Sequence, residues 1–240
     1  MSLDILAFGA HPDDVELAAS GTLIRAARAG ASTGVVSLTR GEMSTRGSLA
    51  ARAAEFDAAA VIMGLAHHEM LSLPDGWLEP DRESKLAVVR AIREHRPRIV
   101  LLPWVEDRHP DHPATARIVQ EAAFLSGLAK IETGQEPYRP AELIFYMSTW
   151  EFEPSFIVDI SPVIEEKRKT LQAYGTQVFN PAFKGNEPPT FIASEHFQEL
   201  LFSRMAHYGH LIGRKFGEPF RIHGYLEVSD LLAAFGGRTL

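Results

Sequence analysis

The first half of the chain alternates short apolar runs with longer segments of helical composition. Apolar, strand-like runs lie at residues 3–9, 33–38, 68–73 and 99–102. The segments that follow them, at residues 16–29, 52–63, 82–95 and 113–128, have the residue content and spacing of helices. Strands separated by helices of this length are typical of right-handed crossovers, and therefore of a parallel sheet with helices on both faces.

Beyond position 134 the pattern is weaker, and it predicts two strands, a helix, a loop and a last helix at residues 143–147, 156–160, 162–174, 180–190 and 194–207. Four residues of the loop are Pro or Gly, and Ser194 is a good helix cap. We expect a Rossmann-like α/β fold with a mostly parallel sheet. Residues 1–240 are predicted to form one domain, with a core at 1–134 and a C-terminal elaboration at 135–240.

Composition and charge exclude several classes of protein. The chain has 24 Lys and Arg against 31 Asp and Glu, a formal net charge of −7, and no long basic run, which argues against a nucleic-acid partner. The absence of cysteine excludes disulfides, thiolate zinc sites and a cysteine nucleophile, so any metal must be held by His, Asp or Glu.

No targeting signal is expected from the residue pattern. The start, Met1 to Asp4, has neither a basic segment nor an apolar stretch, and no apolar run approaches the roughly 20 residues of a membrane helix. We therefore expect a soluble cytoplasmic protein with no membrane partner.

Two tetrapeptides carry the candidate chemistry. His11-Pro12-Asp13-Asp14 follows the first predicted strand, and His109-Pro110-Asp111-His112 follows the fourth. Ligands of open parallel sheets bind beyond the carboxyl ends of the strands where strand order reverses, which in the commonest winding lies between strands one and four. Both tetrapeptides are therefore predicted to border one crevice.

The spacing within each tetrapeptide suits a metal ion. His11 and Asp14 are three positions apart at a helix start, and so are His109 and His112. Two His and one carboxylate leave an open position for water, as in catalytic zinc sites. Asp13 points away from the His11 and Asp14 pair and suits a proton acceptor. Spacing alone leaves open which histidine of the second tetrapeptide is the ligand.

Other interpretations have to be weighed against this one. Either tetrapeptide alone is ordinary helix-start chemistry. Two His and one carboxylate also describe non-heme iron oxygenases, which would make the protein an oxidoreductase. A blocked pocket would leave a non-catalytic metal-binding protein. A nucleotide-binding module is disfavoured, because the sequence has neither a Gly-x-Gly-x-x-Gly fingerprint after the first strand nor a Walker loop.

At these residues the chain resembles the LmbE-like (PIG-L) zinc deacetylase family, whose hallmarks are Ala-His-Pro-Asp-Asp and a later His-Pro-Asp-His. Residues 10–14 and 109–112 match both. Within the family it is similar to the bacillithiol biosynthesis deacetylases, which act on N-acetylglucosaminyl malate; the supporting segments include 41–42, 73–76, 107–112 and 124–132. Deacetylation of another N-acetylglucosamine conjugate, such as a chitobiose or an inositol glycoside, is the nearest alternative.

The resemblance implies a role for each residue of the two motifs. One zinc ion per subunit is held by His11, Asp14 and His112, although other divalent metals can substitute. Asp13 is then the general base that activates water. His109 stabilises the oxyanion and protonates the leaving amine, while Asp111 orients His109 and keeps it charged. A homo-oligomer, with a hexamer as the candidate, is also implied.

Substrate-binding residues are expected after strands two and four. Arg46, Arg52 and Arg108 are candidates to hold the malate carboxylates, and family members place an arginine at the position of Arg52. Thr45 is a weaker candidate in the same loop, and residues 180–190 are a candidate lid.

Two other features belong to the same interpretation. Relatives carry more glycine in the segment that corresponds to residues 18–21. Here Ala and Ser replace glycine near the expected sugar pocket, so the exact sugar conjugate is less well defined by the sequence. The remaining histidines are expected to be structural or surface residues: His67, His68, His95, His196, His207, His210 and His223.

Overall fold

The computed structural model describes residues 2–232 and residue 236. Its strands are β1 (Ile5–Gly9), β2 (Thr33–Ser37), β3 (His67–Met70), β4 (Ile99–Pro103), β5 (Glu142–Tyr146), β6 (Phe156–Asp159) and β7 (Gly217–Ile222). They form one sheet of order β3-β2-β1-β4-β5-β7-β6. The first five of these are mutually parallel, and β7 runs antiparallel to both β5 and β6. The prediction of a mostly parallel α/β sheet is confirmed.

The helices are α1 (Asp14–Arg28), α2 (Leu49–Met63), α3 (Arg82–His95), α4 (Asp111–Ser126), α5 (Ile164–Ala173) and α6 (Glu195–Leu211). Ser48, Asp81 and Ser194 cap α2, α3 and α6 by accepting a backbone N–H three residues on. Helices α1 and α4 begin two residues earlier than the sequence predicts. The tetrapeptides at 11–14 and 109–112 therefore each lead directly into the N-terminus of a helix.

Two apolar layers cover the two faces of the sheet. One contains residues from α1, α2, α5 and α6, including Leu23, Phe56, Leu171 and Met205. The other is built mainly from α3 and α4, including Ile92 and Val119. Buried strands with helices on both faces explain why the first half of the sequence has continuous apolar runs rather than alternating ones. Among the described residues, no helix combines the length and apolarity needed to cross a membrane.

Strand β7 is missing from the sequence prediction, although it lies between two other strands. Its sequence contains Gly217 and Pro219, which are both unusual inside a sheet. Pro219 pairs in register with Ile157 of β6. Burial on both sides overrides the poor local propensity, so tertiary contacts rather than sequence pattern create this strand.

Candidate active site

The two tetrapeptides meet beside the boundary between β1 and β4. Because β2 lies on the other side of β1, strand order reverses at this boundary, and both motifs follow strand ends there. One ring nitrogen from each of His11, His109 and His112 lies within 4.8 Å of the others. These residues line a pocket of about 370 Å³, a size typical of small-molecule sites.

Asp14 lies between two of these imidazoles. Its Oδ2 is 3.4 Å from His11 Nδ1, and its Oδ1 is 3.2 Å from His112 Nε2. Burial acts to raise the pKa of Asp14, but His112 and His11 outweigh it and hold that pKa well below its usual range. Burial acts to lower the pKa of His112, but Asp14 and Asp107 outweigh it and raise that pKa to about 9. The three side chains therefore form one buried cluster in which a carboxylate lies between two imidazoles.

The outer nitrogens of the same two imidazoles also face carboxylates. His112 Nδ1 is 3.1 Å from Asp107 Oδ2, and His11 Nε2 is 3.2 Å from Asp111 Oδ2 and 3.0 Å from Asp75 Oδ1. Metal-ligating histidines are commonly oriented in this way by a carboxylate on the ring nitrogen away from the metal. The donor set of two imidazoles and one carboxylate, with its supporting carboxylates, therefore fits a divalent metal ion.

Asp13 is buried beside this cluster and has an unusual backbone. Its φ is 131°, which L-residues rarely adopt. Arg52 Nη1 donates to Asp13 Oδ2 at 2.8 Å and to the Pro12 carbonyl at 3.1 Å. Burial raises the pKa of Asp13, while Arg52 acts in the opposite sense. Arg52 lines the pocket, as expected, but its nearest anion is this carboxylate.

Among the described residues, the hydrogen bonds of the Asp111 carboxylate go to residues other than His109. Asp111 is the first residue of α4, and its carboxylate accepts N–H groups from Gly76 at 2.7 Å and Leu78 at 3.3 Å besides facing His11. Its backbone N–H donates instead to His109 Nδ1 at 3.3 Å. Burial, together with the nearby His11 and His112, lowers the pKa of His109; the Asp111 carboxylate acts in the expected, opposite sense but does not outweigh them.

The other substrate-binding candidates differ in position. Thr45 and Arg108 line the pocket, and the Arg108 guanidinium lies 4.9 Å from the ring centroid of Phe191. Arg46 does not belong to the pocket lining that the described residues form. The residue is buried, and its guanidinium lies 3.9 Å from the ring centroid of Phe183, so a substrate contact of Arg46 stays a prediction.

Three residues of the site were not singled out from the sequence. Asp75 and Asp107 orient the histidines, and each lies inside a segment that carries the family resemblance, which was the available signal. Arg204 of α6 also lines the pocket, and its Nη1 donates to the Ser148 carbonyl. Burial lowers the pKa of Arg204. A single arginine in a predicted helix gives no sequence signal for this position.

Two expectations concern the walls of the pocket. Of residues 18–21, Ala18 lines it, whereas Gly21 packs against Ile160 and Glu218, where a Cβ would lie 2.8–2.9 Å from their atoms. The close packing of α1 against these two residues therefore explains why glycine occupies position 21. Thr190, at the end of the candidate lid, and the adjoining Phe191 also line the pocket.

Comparisons with known proteins agree with the family resemblance of the two motifs. The family model described as GlcNAc-PI de-N-acetylase (PIG-L) matches residues 6–123. The solved structure of the conserved protein TT1542 from Thermus thermophilus is 36% identical, covers 95% of this chain and 98% of its own, and superposes with a TM-score of 0.87.

Two curated relatives have more specific descriptions. Diacetylchitobiose deacetylase of Thermococcus kodakarensis is 28% identical over an alignment of 232 residues, and the match covers 90% of this chain and 82% of the relative. A probable N-acetyl-α-D-glucosaminyl L-malate deacetylase 2 of Bacillus anthracis is 28% identical over an alignment of 181 residues, and the match covers 70% of this chain and 78% of the relative.

Proposed function

Because the chain belongs to the PIG-L family, we propose that it is a zinc-dependent hydrolase that removes the acetyl group from an N-acetylglucosamine conjugate. The leading substrate is N-acetylglucosaminyl malate, which would place the enzyme in bacillithiol biosynthesis. One observation carries the proposal. A buried His-Asp-His cluster, with carboxylates on the outer ring nitrogens, lines an open pocket beside the carboxylate of Asp13.

His11, Asp14 and His112 would hold the metal. This choice over His109 is supported by Asp14, which faces both of the other imidazoles, and by the outer carboxylates that orient them. When bound, a zinc ion lowers the pKa of water and polarises a carbonyl oxygen. His109 then stays available on the substrate side of the pocket.

Asp13 is the proposed general base and His109 the proposed proton donor. Burial raises the pKa of Asp13 and so makes its carboxylate a better proton acceptor. His109 Nδ1 accepts a backbone N–H, which assigns the proton of the neutral ring to Nε2. From Nε2 the neutral ring can donate a hydrogen bond to the amide oxygen. It can protonate the departing sugar amine once it has gained the proton that Asp13 removes from water. The products are acetate and a free glucosamine amine.

The malate moiety would need positive charge in the pocket. Since Arg52 is paired with Asp13, the proposed carboxylate anchors are Arg108 and Arg204. The described activity of the Bacillus anthracis relative supports this substrate. The second candidate is diacetylchitobiose, supported by a relative that matches 90% of this chain.

Acetate release tests the proposal directly. N-acetylglucosaminyl malate, diacetylchitobiose and free N-acetylglucosamine are compared with chelated and zinc-restored enzyme. We expect zinc-dependent release with preference for the malate conjugate. Preference for chitobiose would reject the malate assignment, and no release from any substrate would reject the deacetylase. Oxygen-dependent turnover would support the iron oxidoreductase instead.

Variants separate the carboxylate anchor from general charge effects. Arg108→Ala is expected to raise the KM for the malate conjugate about tenfold and to leave diacetylchitobiose turnover unchanged, since one charged hydrogen bond is lost. Arg117→Ala is the matched control, because this exposed arginine on α4 lies outside the pocket. Equal effects of Arg108→Ala on both substrates would reject the anchor.

Assembly and location stay predictions of the family resemblance. We expect a cytoplasmic homo-oligomer, with a hexamer as the first candidate. Light scattering coupled to gel filtration measures the subunit number, and a monomer under assay conditions would remove this expectation.

A further inference from the structure

A second group of metal-ligating side chains lies at the opposite end of the sheet. His67 is the first residue of β3, Glu69 follows on the same face of that strand, and His95 is the last residue of α3. His67 pairs in register with Gly34 near the start of β2. The proposed active site lies beyond the carboxyl ends of the strands, so the two groups are separated by the length of the sheet.

The geometry of this group suits one ion. A ligand atom from each of His67, Glu69 and His95 lies within 4.8 Å of the other two. His67 Nε2 is 3.5 Å from Glu69 Oε2, too long for a good hydrogen bond. The ring centroids of the two histidines are 3.9 Å apart at an interplanar angle of 38°.

Three of the four ring nitrogens of this group are buried and lack hydrogen bonds to the described residues. His95 is 4% exposed, and neither of its ring nitrogens has a hydrogen-bond partner among the described residues. The same holds for Nε2 of His67. Buried polar atoms are almost always paired, so three such nitrogens in contact need a cause. By contrast, Nε2 of the neighbouring His68 lies at hydrogen-bond distance, 2.9 Å, from Asp57 Oδ1.

We propose that His67, Glu69 and His95 form a second metal site, for a divalent transition metal of the zinc class. Two imidazoles and one carboxylate suit zinc, cobalt or nickel, whereas magnesium and calcium prefer oxygen ligands. The side chains of His67 and Glu69 are 30% and 40% exposed, which gives the ion an entry path and leaves room for a water ligand.

The proposed role of the site is structural. Strand β3 is the edge of the described sheet, and it is joined to the rest through β2. A metal held by both β3 and the end of α3 would connect this edge to the helix layer. Ligands 28 positions apart, on different elements, explain why the sequence identifies His67 and His95 only as structural or surface residues.

The test uses untagged, metal-free protein and Co²⁺ as the spectroscopic probe. His11→Ala/His112→Ala removes two ligands of the proposed catalytic site. We expect this variant to retain one equivalent of Co²⁺, and added Zn²⁺ to raise its melting temperature. Adding His67→Gln should abolish both effects, whereas adding His68→Gln should abolish neither.

Two further variants address folding and function. The Glu69 side chain is partly exposed, so Glu69→Gln should weaken Co²⁺ binding without unfolding the protein. This variant is preferred to His95→Gln, because a substitution of the buried His95 can prevent folding. His67→Gln in the otherwise native chain should keep zinc-dependent acetate release. The proposal is overturned if the His11→Ala/His112→Ala variant binds no Co²⁺. It is also overturned if adding His67→Gln to that variant leaves the bound equivalent of Co²⁺ in place. Either result is independent of whether the active site releases acetate.

Discussion

Asp13 combines a strained backbone with a chemically demanding position. Its φ of 131° costs a non-glycine residue about 1–3 kcal/mol, which the surrounding structure must hold in place. The preceding His11 and following Asp14 are fixed to each other by a 2.8 Å hydrogen bond from the His11 N–H to Asp14 Oδ2. This bond spans the tight turn that contains Asp13, whose carboxylate accepts a hydrogen bond from Arg52.

The strain predicts a difference between two variants that both lack the carboxylate. Asp13→Gly should have a higher free energy of unfolding than Asp13→Ala by about 1–2 kcal/mol, because glycine adopts this φ without strain. Urea unfolding of the two zinc-loaded variants measures the difference. Both should retain zinc and lose turnover. Equal stability of the two variants would show that the turn is not strained.

Arg52 tests how the base is positioned. Its guanidinium lies on Asp13, so Arg52→Ala should lower kcat about 10²-fold, the scale of general-base catalysis, with a smaller change in KM. Arg52→Lys, which keeps the charge, should recover part of kcat. A change in KM alone, specific to the malate substrate, would restore the original carboxylate-clamp interpretation.

Which side chains meet in the site was only partly predictable from sequence. The ends of adjacent parallel strands must lie together, so two tetrapeptides at such ends were expected to share a crevice. The direction of the Asp111 carboxylate depends on N–H groups of Gly76 and Leu78, which no spacing rule connects to it. The sequence therefore predicts the set of residues better than their pairing.

At the scale of elements, helix α6 supplies one wall of the pocket. Phe197, Leu201 and Arg204, all within the first ten residues of the helix, line this wall. Ser194 holds this end, since its Oγ accepts the Phe197 N–H at 3.1 Å and donates to the Phe191 carbonyl at 2.7 Å. The cap was predictable from the sequence, but the contribution of α6 to the pocket was not.

The cap predicts a modest but measurable effect. Ser194→Ala should lower the free energy of unfolding by about 1 kcal/mol, because one helix N–H loses its acceptor. Ser194→Thr retains the hydroxyl and should stay near the native value. Thermal or urea unfolding compares the three proteins. A Thr variant as unstable as the Ala variant would mean that the hydroxyl does not stabilise the helix.

At the scale of the molecule, residues beyond position 134 complete the sheet. Their strands β5, β7 and β6 continue the sheet from β4. The early elements were predictable because each has a strong local pattern, whereas β7 depends on partners distant in sequence. The parallel part of the fold therefore follows from pattern, and the antiparallel part follows from contacts that only the folded chain contains.

A buried ion pair joins the late elements to the early ones. Lys167 Nζ of α5 is 2.7 Å from Glu218 Oε1 of β7, and both side chains are at most 1% exposed. Lys167 also donates to the Leu17 carbonyl of α1, and Glu218 accepts the backbone N–H groups of Gly21 and Thr22. Three elements distant in sequence therefore depend on two charges that lie in the protein interior.

Removing one charge of this pair should leave the other uncompensated. Lys167→Met and Glu218→Gln are each expected to lower the free energy of unfolding by about 3–5 kcal/mol, and the double variant by clearly less than their sum. Arg117→Met breaks an exposed pair with Glu121 and should change stability by less than about 0.5 kcal/mol. Urea unfolding of all four variants measures the coupling. Additive losses in the double variant would show that the two charges act independently, and the link between α5 and β7 would then rest on apolar packing alone.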